Sequence, residues 1–288
     1  MTKFAVIGPG AVGCTIAYEL KKSFSTVSLL GRQHKTINYY PGDNNVAQPL
    51  NVTPLTEAKG KVDVVFVAVK TYQLDSVMPH IQRICSSNTL VILAQNGYVN
   101  TDSLQLPHIY QAVVYISGQK QHDNVLHYRD EILHIQKDSH TQALARQLQH
   151  TQLTLILEDD ITTKIWYKLL VNLGINTVTV LTQTPAKVLQ TEEAKQLCRD
   201  LLLEGVQVAK AEGIQLPQTI VDDIFSIYNG YPDEMGTSMY YDYLHSRPIE
   251  VEAIQGFIFH KGIKHNLAIP TIRTTYKLLH TYQQHVKL

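Results

Sequence analysis

The chain has 288 residues, 44% of them hydrophobic, and its 25 Lys and Arg residues balance 25 Asp and Glu residues. A chain of this length can bury one large core or two ordinary ones, and we expect two domains. Because the formal net charge is zero, no general attraction to nucleic acid or to an anionic membrane is expected.

The amino-terminal stretch and the cysteines predict a cytoplasmic protein. The run MTKFAVIG reaches glycine too soon to be a signal peptide, and the longest apolar segments, such as VVFVAV, fall far short of a membrane helix of roughly 18 residues. Cys14, Cys85 and Cys198 form no CxxC pair, which argues against a disulfide framework. The histidines show neither HxxxH nor HExxH spacing, so they are interpreted as surface residues and no metal site is predicted.

About the first 158 residues alternate short apolar runs with helical stretches, which predicts an α/β domain. Continuous apolar runs are typical of strands covered on both faces of a mostly parallel sheet, and they are KFAVIG, TVSLLG, VDVVFVAV, TLVILA and YQAVVYI. Helices are predicted at residues 11–22 and 74–84. Later strands are predicted in VLHYRDEILHIQ, with RDE as the turn of a hairpin, and in LTLILE.

Beyond Glu158 long helical patterns replace the strands, at about 162–178, 191–212, 216–228, 248–265 and 270–286. We therefore predict a Rossmann-type domain with a mostly parallel sheet at residues 1–160 and an all-α domain at residues 161–288. Asp159 and Asp160 suit the start of the first long helix, where the helix dipole favours negative charge. The active site is expected between the two domains, as is usual for ligand clefts.

The stretch VIGPGAVG places glycines in G-x-G-x-x-G spacing directly after a strand and at the start of a helix. In such a loop the glycines permit a tight turn, a close approach to a pyrophosphate and close packing of helix on strand. The alternative is a merely glycine-rich turn. The residues expected to bind the dinucleotide are Gly8, Pro9, Gly10, Ala11, Val12 and Gly13.

The end of the second strand predicts the cofactor. NAD-binding proteins usually carry an acidic residue there for the ribose hydroxyl, whereas this chain has Gly31 and Arg32, followed by His34 and Lys35. A guanidinium suits the 2'-phosphate of NADP, so NADPH is favoured over NADH; the alternative is that Arg32 is an ordinary solvated residue.

Two further strand ends lie where ligands of such sheets bind. VFVAVKTYQ ends in Lys70 and Gln73, and VILAQNG ends in Gln95, Asn96 and Gly97. An Asn-Gly pair is also a common turn, and Lys70 could be a solvated end residue. Together, Lys70, Gln73 and Asn96 are predicted to line the cofactor crevice.

TKIWYKLLVNLGIN carries Lys168, Asn172 and Asn176 at i, i+4 and i+8 among apolar residues. On a helix these residues form a stripe roughly 12 Å long. A helix that is otherwise apolar is buried, so the stripe is expected to face an enclosed wet cavity. The alternative is a Lys at the helix edge with two Asn satisfied in the core. Lys164 lies one turn earlier on nearly the same stripe.

A second polar cluster lies in GTSMYYDYLHSRPIEVEAIQG. Ser238 and Asp242 are spaced i, i+4, and Pro248 suits the first turn of a helix, which would put Glu250 near its amino terminus. The alternative for Glu250 is a carboxylate that only stabilises the helix dipole. Glu252 points elsewhere and is expected to be exposed.

In this order and at these distances, the motifs resemble those of the ketopantoate reductase (2-dehydropantoate 2-reductase) family, from the glycine loop to the last helix. The specific combination is GxGxxG, Lys70 with Gln73, QNG at 95–97, the K-x-x-x-N-x-x-x-N of KLLVNLGIN, and S-M-x-x-D followed by PIEVEAIQG. The segment GQKQHDNVLHYRDEILHI has no matching family residue.

The resemblance implies NADPH-dependent reduction of ketopantoate to pantoate on the way to pantothenate and coenzyme A. It implies that Lys168 is the general acid, that Asn172 and Asn176 hold the substrate, and that Glu250 binds its terminal hydroxyl. Ser238 would contact the substrate carboxylate, and Asn96 would lie between nicotinamide and substrate. The spacing to both Asn favours Lys168 over Lys164 as the acid. The resemblance also assigns the remaining residues to the cofactor, namely Arg32, Lys70 and Gln73.

Two other functions stay open. One is a related reductase of another 2-keto acid, and the other is a non-catalytic NADP(H) sensor on the same scaffold, which would not need Lys168 and Glu250 together. A homodimer is also possible, because the helical half is rich in tyrosines that could be core, pocket rim or dimer surface, namely Tyr228, Tyr231, Tyr240, Tyr241 and Tyr243.

Overall fold

The computed structural model describes residues 1–42 and 46–286, and the chain separates into two units, Met1–Ile161 and Thr162–Leu288. The division falls one residue from the boundary predicted at 160/161. Residues 43–45 and the last two residues of the predicted second domain, 287 and 288, lie outside the described residues.

One mixed sheet organises the first unit, in the order β10-β9-β3-β4-β2-β1-β5-β6-β7, with β8 paired to β9. The strands in the described part of the chain are β1 (Phe4–Ile7), β2 (Val27–Gly31), β3 (Lys35–Tyr40), β4 (Gln48–Pro54), β5 (Val64–Val67), β6 (Leu90–Leu93), β7 (His108–Gln111), β8 (Val113–Gln121), β9 (Asn124–Gln136) and β10 (Thr154–Glu158).

The central strands pair in parallel, which confirms the predicted Rossmann-type α/β class. β1 lies between β2 and β5, and β5, β6 and β7 follow in parallel register. Because β1 is covered on both faces, alternate residues enter different cores: Phe4 and Val6 join one hydrophobic cluster, and Ala5 and Ile7 join the other. The carboxyl ends of these strands therefore meet at one edge.

Helices cover both faces of this sheet, and they are α1 (Ala11–Ser23), α2 (Leu74–Ile84) and α3 (Ser139–Leu148). α1 and α3 contribute apolar residues to the cluster that holds Phe4 and Val6, whereas α2 contributes to the other. The core thus fixes the start of α1 against the end of β1, where the glycine motif lies.

The strands β3 and β4 were not predicted. β3 has the sequence KTINYY, in which buried and exposed residues alternate, and it pairs antiparallel with β4. The sequence signal is weak because polar residues fill the solvent face of such a strand.

The prediction of a hairpin turn at RDE was wrong, because β9 runs through it as a single strand. The hairpin turn lies at residues 122–123, and the RDE segment forms an irregularity in the pairing of β8 with β9, at which Asp130 adopts φ 63°. The bend lets His127 Nε2 donate to the Asp130 carbonyl oxygen at 3.0 Å. His127 is only 5% exposed, so the interpretation of the histidines as surface residues fails at this position.

The second unit is helical, as predicted, over its described residues. Its helices are α4 (Ile161–Thr182), α5 (Glu192–Ala211), α6 (Ile220–Asn229), α7 (Ser238–Leu244), α8 (Phe257–Lys264) and α9 (Pro270–His285). A π-helical turn, Glu252–Gly256, leads into α8. A hydrophobic cluster joins the carboxyl end of α4 to α7, the π-helical turn and α9.

Close packing fixes α4 against α5 and α6. A Cβ at Gly174 would lie 2.7 Å from Tyr228 Oη and 2.8 Å from Cys198 Sγ, and a Cβ at Gly205 would lie 2.6 Å from a methyl of Leu170. The Tyr228 hydroxyl also donates to the carbonyl oxygen of Val171 at 2.7 Å. Because interiors tolerate little overpacking, these contacts define the rotation of α4 about its axis.

Within residues 1–42 and 46–286, none of the helices combines the length and the apolarity needed to cross a membrane. Cys14, Cys85 and Cys198 are all buried free thiols.

Candidate active site

Two glycines of the glycine loop stand where a side chain would clash with the backbone. Gly8 has φ 106°, and a Cβ there would lie 2.7 Å from the backbone of Ala68. A Cβ at Gly13 would lie 2.0 Å from the carbonyl oxygen of Gly8, so only glycine fits both positions.

Gly10 differs from the other two glycines. A Cβ at Gly10 would meet nothing within 4 Å, so open space lies over this part of the loop. Gly10 is the N-cap of α1, it has no side-chain cap, and the first turn of α1 contains no acidic residue. Backbone N–H groups at a helix start with open space beside them fit the pyrophosphate of a nicotinamide dinucleotide. The loop residues Pro9, Ala11 and Val12 are half-buried.

The end of β5 lies beside this loop, and β6 is the next parallel strand beyond β5. The N–H of Ala68 donates to the Ile7 carbonyl oxygen at 2.7 Å, which brings Lys70 close to the end of β1. Lys70 is half-buried and begins a 3₁₀ turn in which its backbone N–H donates to Gln73 Oε1 at 3.3 Å. Gln73 thus shapes this turn. Arg32 is exposed, directly after β2.

Three residues outside the set predicted to form the site support this edge. Gln95 is buried, its Nε2 donates to the Val69 carbonyl oxygen at 2.7 Å, and its Oε1 has no hydrogen-bond partner among the described residues. Gln111 Nε2 donates to the Gly97 carbonyl oxygen at 2.7 Å. These amides hold the two turns around the half-buried Asn96. The third is Lys120, whose Nζ donates to the Pro9 carbonyl oxygen at 2.6 Å.

A sequence signal existed for only part of this set. Gln95 lies inside the QNG motif, whereas Gln111 and Lys120 belong to strands without a recognisable motif. Their contacts depend on which strands become neighbours in the sheet, and this is not visible locally.

In the second unit the polar stripe lies on α4. Lys164, Lys168 and Asn172 are half-buried, and Asn176 is only 5% exposed. On the other sides of this part of the helix, between residues 165 and 175, Tyr167 is half-buried and the rest are buried. The stripe therefore runs from a partly accessible end at the lysines to a buried end at Asn176. Both lysines are half-buried, so burial does not distinguish between them.

Hydrogen bonds tie the buried end of the stripe to two other segments. Thr179 Oγ1 lies 3.3 Å from Thr237 Oγ1, and Gln255 Nε2 donates to Thr177 Oγ1 at 3.0 Å. Thr237 caps α7 by accepting from the N–H of Tyr240, so the adjacent Ser238 is its first residue. Ser238 is exposed.

Glu250 precedes the π-helical turn rather than lying inside a helix. The predicted helix start at Pro248 was wrong: the N–H of Ile249 donates to Gln283 Oε1 at 2.8 Å, and helical bonding begins with Gly256 N–H to the Val251 carbonyl at 2.8 Å. Glu250 is 6% exposed, so its carboxylate is buried.

The Glu252 side chain, in contrast, is 54% exposed, which agrees with the prediction that it is exposed. Its carboxylate interacts with His280 and Tyr276. Within the described residues, no group of three or more His, Cys, Asp or Glu is arranged to hold a metal ion. The second unit therefore offers an ammonium, amides and a buried carboxylate, which can orient a small polar substrate and give a proton to it.

Two family models match the chain. The model described as "Ketopantoate reductase PanE/ApbA" matches residues 4–137, and the one described as "Ketopantoate reductase PanE/ApbA C terminal" matches residues 160–283. A 2-dehydropantoate 2-reductase from Mycobacterium tuberculosis is 32% identical over 279 residues, covering 93% of this chain and 94% of that protein.

Solved structures agree with this likeness. A ketopantoate reductase from Staphylococcus aureus, described as dimeric, is 48% identical with a TM-score of 0.96, over 99% of this chain and 100% of that one. A D-mandelate dehydrogenase with NADH and anilino(oxo)acetate covers 100% of both chains with a TM-score of 0.89, but at 22% identity it shows the fold alone.

Proposed function

The chain belongs to the ketopantoate reductase family, and from that premise we propose that it reduces 2-dehydropantoate (ketopantoate) to pantoate with NADPH, on the route to pantothenate and coenzyme A. As a member of this family it is an NAD(P)-dependent oxidoreductase. The particular substrate, the choice of NADPH and the roles of individual residues are the content of the proposal.

The observation that carries the proposal is the polar stripe of α4. Lys168 and Asn172 are half-buried and Asn176 is 5% exposed, in a part of the helix whose other residues are mostly buried. Burying a lysine and two amides opposes folding unless hydrogen bonds or charges compensate the loss of water. These residue types also suit a site that binds a carboxylate and a carbonyl oxygen, which supports the proposal.

In the proposed reaction Lys168 gives the proton. The bound cofactor would supply a hydride to the carbonyl carbon of the substrate. Negative charge then develops on the carbonyl oxygen, and an ammonium beside that oxygen both stabilises the charge and neutralises it by proton transfer. The rigid packing of α4 at Gly174 and Gly205 suits this role, because a general acid must be held within hydrogen-bonding distance.

The neighbouring polar residues would bind and orient the substrate. Asn172 and Asn176 can hydrogen-bond a carboxylate or a hydroxyl without adding charge. Ser238 is exposed at the start of α7, and we assign it to the carboxylate end of the substrate. Asn96, in the first unit, would lie between nicotinamide and substrate.

Glu250 would provide substrate specificity. It would also take part in catalysis, by orienting the substrate towards Lys168. Its carboxylate is 6% exposed and would accept a hydrogen bond from the terminal hydroxyl of 2-dehydropantoate. A 2-keto acid without that hydroxyl would leave a buried acceptor less well satisfied. Such mismatches reject the poorer ligand strongly.

For the cofactor, we propose that the loop Gly8–Gly13 holds the pyrophosphate and that Arg32 binds the 2'-phosphate. Open space at Gly10 supports the first assignment, and the exposed position of Arg32 directly after β2 supports the second. Lys70 and Gln73 would line the same edge.

The test is NADPH oxidation followed at the nicotinamide absorbance, with 2-dehydropantoate and with 2-ketoisovalerate, which lacks the hydroxyl, and with NADH in parallel. We expect rapid turnover only with 2-dehydropantoate and NADPH. Equal rates with both acids would refute the role of Glu250 and favour a broader 2-keto acid reductase. NADPH binding without turnover of either acid would contradict the proposed reaction and favour a sensor.

The cofactor assignment has its own test. We expect Arg32→Ala to weaken NADPH binding by roughly 10- to 100-fold and NADH binding by less than about 3-fold, because only NADPH carries the 2'-phosphate. His34→Ala is the matched control, since His34 Nε2 already pairs with Glu57 at 2.9 Å. Equal loss of both cofactors in Arg32→Ala would remove the 2'-phosphate assignment.

We also propose a homodimer, because the relative from Staphylococcus aureus is described as dimeric and is 48% identical. Light scattering coupled to gel filtration should give about twice the chain mass of 32.5 kDa. A single species at the monomer mass across the working concentration range would refute this proposal.

A further inference from the structure

Lys120 connects the β8–β9 hairpin to the glycine loop. Gly118 lies against the start of α1, since a Cβ there would be 3.3 Å from Ala11 Cβ and 2.6 Å from the Leu126 carbonyl oxygen. Lys120 is two residues further along β8, so its side chain leaves the same face of the strand. Its Nζ donates to the Pro9 carbonyl oxygen at 2.6 Å. The hairpin thus brings an ammonium to the motif from outside it.

A second ammonium lies beside the first. Lys35, the first residue of β3, is close enough to Lys120 for each charge to act on the other, and its Nζ pairs with Asp123 Oδ1 at 3.2 Å. Asp123 lies in the turn of the same hairpin. Two ammonium groups and one carboxylate leave an excess positive charge near the amino-terminal end of α1, which is itself positive.

The surroundings of Lys120 make this charge costly. Burial, followed by the positive charge of Lys35, lowers the pKa of Lys120 to about 8. Among the described residues, Asp123 and Cys14 are the other titratable groups that act on it. Burial raises the pKa of the Cys14 thiol to about 12, so this thiol brings no negative charge at neutral pH. A bound anion would relieve the cost, because it favours the charged form of the lysine.

We propose that Lys120, together with Lys35, is a phosphate-binding determinant for the dinucleotide, and that the phosphate it recognises is the 2'-phosphate of NADP(H). The proposal rests on the proposed function, which makes NADPH the cofactor. Its ligand chemistry, anionic phosphoryl oxygens, is shared by the pyrophosphate of the same molecule.

The position of Pro9 favours the 2'-phosphate over the pyrophosphate. A Cβ at Gly31 would lie 3.1 Å from Pro9 Cγ, so the proline lies against the end of β2, directly before Arg32. Lys35 follows three residues later. The end of the second strand is where the ribose of the adenosine half is recognised in this type of fold. Arg32 would thus share the phosphate with two lysines.

The experiment compares the binding of NADPH and NADH by calorimetry in the native full-length chain and two variants. Lys120→Met removes the charge and keeps an apolar stem, whereas Lys120→Gln removes the charge and keeps a donor for the Pro9 carbonyl. We expect both variants to weaken NADPH binding by roughly 10- to 100-fold and NADH binding by less than about 3-fold. Lys137→Met is the control, because Lys137 is 44% exposed and pairs with Asp159 at 2.9 Å.

A pH series gives a readout that a merely structural lysine would not change. In the native chain NADPH affinity should fall as the pH rises above about 8, where Lys120 of the unliganded chain loses its proton, since the phosphate stays doubly charged above its second pKa of about 6. NADH affinity should change little. In Lys120→Met the fall in NADPH affinity should disappear, and in the double variant with Arg32→Ala the preference for NADPH should be nearly lost.

Several results would overturn the inference. Native-like NADPH binding by Lys120→Met in a chain that binds NADPH would refute it while the proposed function stands. Equal weakening of NADPH and NADH binding would mean that Lys120 contacts the pyrophosphate and not the 2'-phosphate. Native-like NADPH binding by Lys120→Gln would mean that Lys120 only supports the glycine loop through its hydrogen bond to Pro9. Failure of the native chain to bind NADPH would refute the proposed function and this inference together. Thermal melting curves first establish that each variant is folded. If Lys120→Met does not fold, the binding data of Lys120→Gln test the inference.

Discussion

In the glycine loop the backbone dictates the residue types, whereas on helix α4 the backbone leaves them open. Gly8 and Gly13 stand where a Cβ would lie 2.7 Å or less from main-chain atoms, so local geometry alone requires glycine. Lys168 and Asn172 lie on a regular helix whose geometry would accept many side chains. The glycines of the loop are therefore required by the backbone conformation, whereas the polar residues of α4 are explained by the chemistry that we propose for them. Substitutions at the two places should have different effects.

The largest effect that would test this contrast is on turnover. Lys168→Ala should lower kcat by a factor of roughly 100 to 10,000, the usual loss for a general acid, while NADPH affinity and the melting temperature stay close to native. The measurements are steady-state kinetics, cofactor titration and a thermal melt.

Lys164→Ala is the matched control for that variant, because Lys164 is also half-buried and lies one turn earlier on α4. It should keep kcat within about 3-fold of native. A collapse of kcat in Lys164→Ala with normal turnover in Lys168→Ala would exchange the roles of the two lysines.

Parts of the molecule that a single local pattern determines were predictable. The continuous apolar runs gave β1, β2, β5 and β6, because a strand covered on both faces must be apolar throughout. β3 escaped prediction because only alternate residues are buried, and the RDE segment misled because a β-bulge uses the same residues as a turn.

The candidate site divides in the same way. The glycines and the stripe were picked out by their spacing, whereas the role of Glu250 came only with the family resemblance. Its place before a π-helical turn was not predictable, because one hydrogen bond from Ile249 to Gln283 decides where the helix begins. Lys120 was out of reach, since its contact with Pro9 joins residues 111 positions apart.

A smaller effect separates two roles within the glycine loop. Gly13→Ala should lower the free energy of unfolding by about 1–3 kcal/mol, because its Cβ would lie 2.0 Å from the Gly8 carbonyl oxygen and the backbone must move. Gly10→Ala should change stability by only a few tenths of a kcal/mol, since its φ of −93° suits alanine and nothing lies within 4 Å of the Cβ.

Gly10→Ala should nevertheless weaken NADPH binding by roughly 10-fold or more, because its methyl group would occupy space that the pyrophosphate needs. Denaturant titration and calorimetry measure the two quantities. Unchanged NADPH affinity in Gly10→Ala would mean that the open space is not the pyrophosphate site.

The smallest effect concerns a charge cluster in the second unit that binds no proposed ligand. Glu212, just after α5, accepts hydrogen bonds from Lys261 and from His265 at 2.5 Å, and Lys264 lies 3.4 Å away. Burial by itself would raise the pKa of this carboxyl, but these hydrogen bonds and positive charges lower it from 4.5 to about 2.

A carboxyl whose pKa is lower in the folded chain adds stability above its unfolded pKa and loses that stability as the pH falls towards the folded pKa. Glu212→Gln should therefore cost about 1–2 kcal/mol of unfolding free energy at pH 7, after allowance for solvent screening, and the difference from native should shrink between about pH 4.5 and pH 2. Denaturant titrations at pH 7 and near pH 3 measure it. Glu193→Gln, at an exposed position in the first turn of α5, should change stability by less than about 0.5 kcal/mol. A pH-independent loss of stability in Glu212→Gln would point to packing rather than charge as the source of the stability. Turnover should be native in either case, because Glu212 belongs to the scaffold that holds α5 and α8 together.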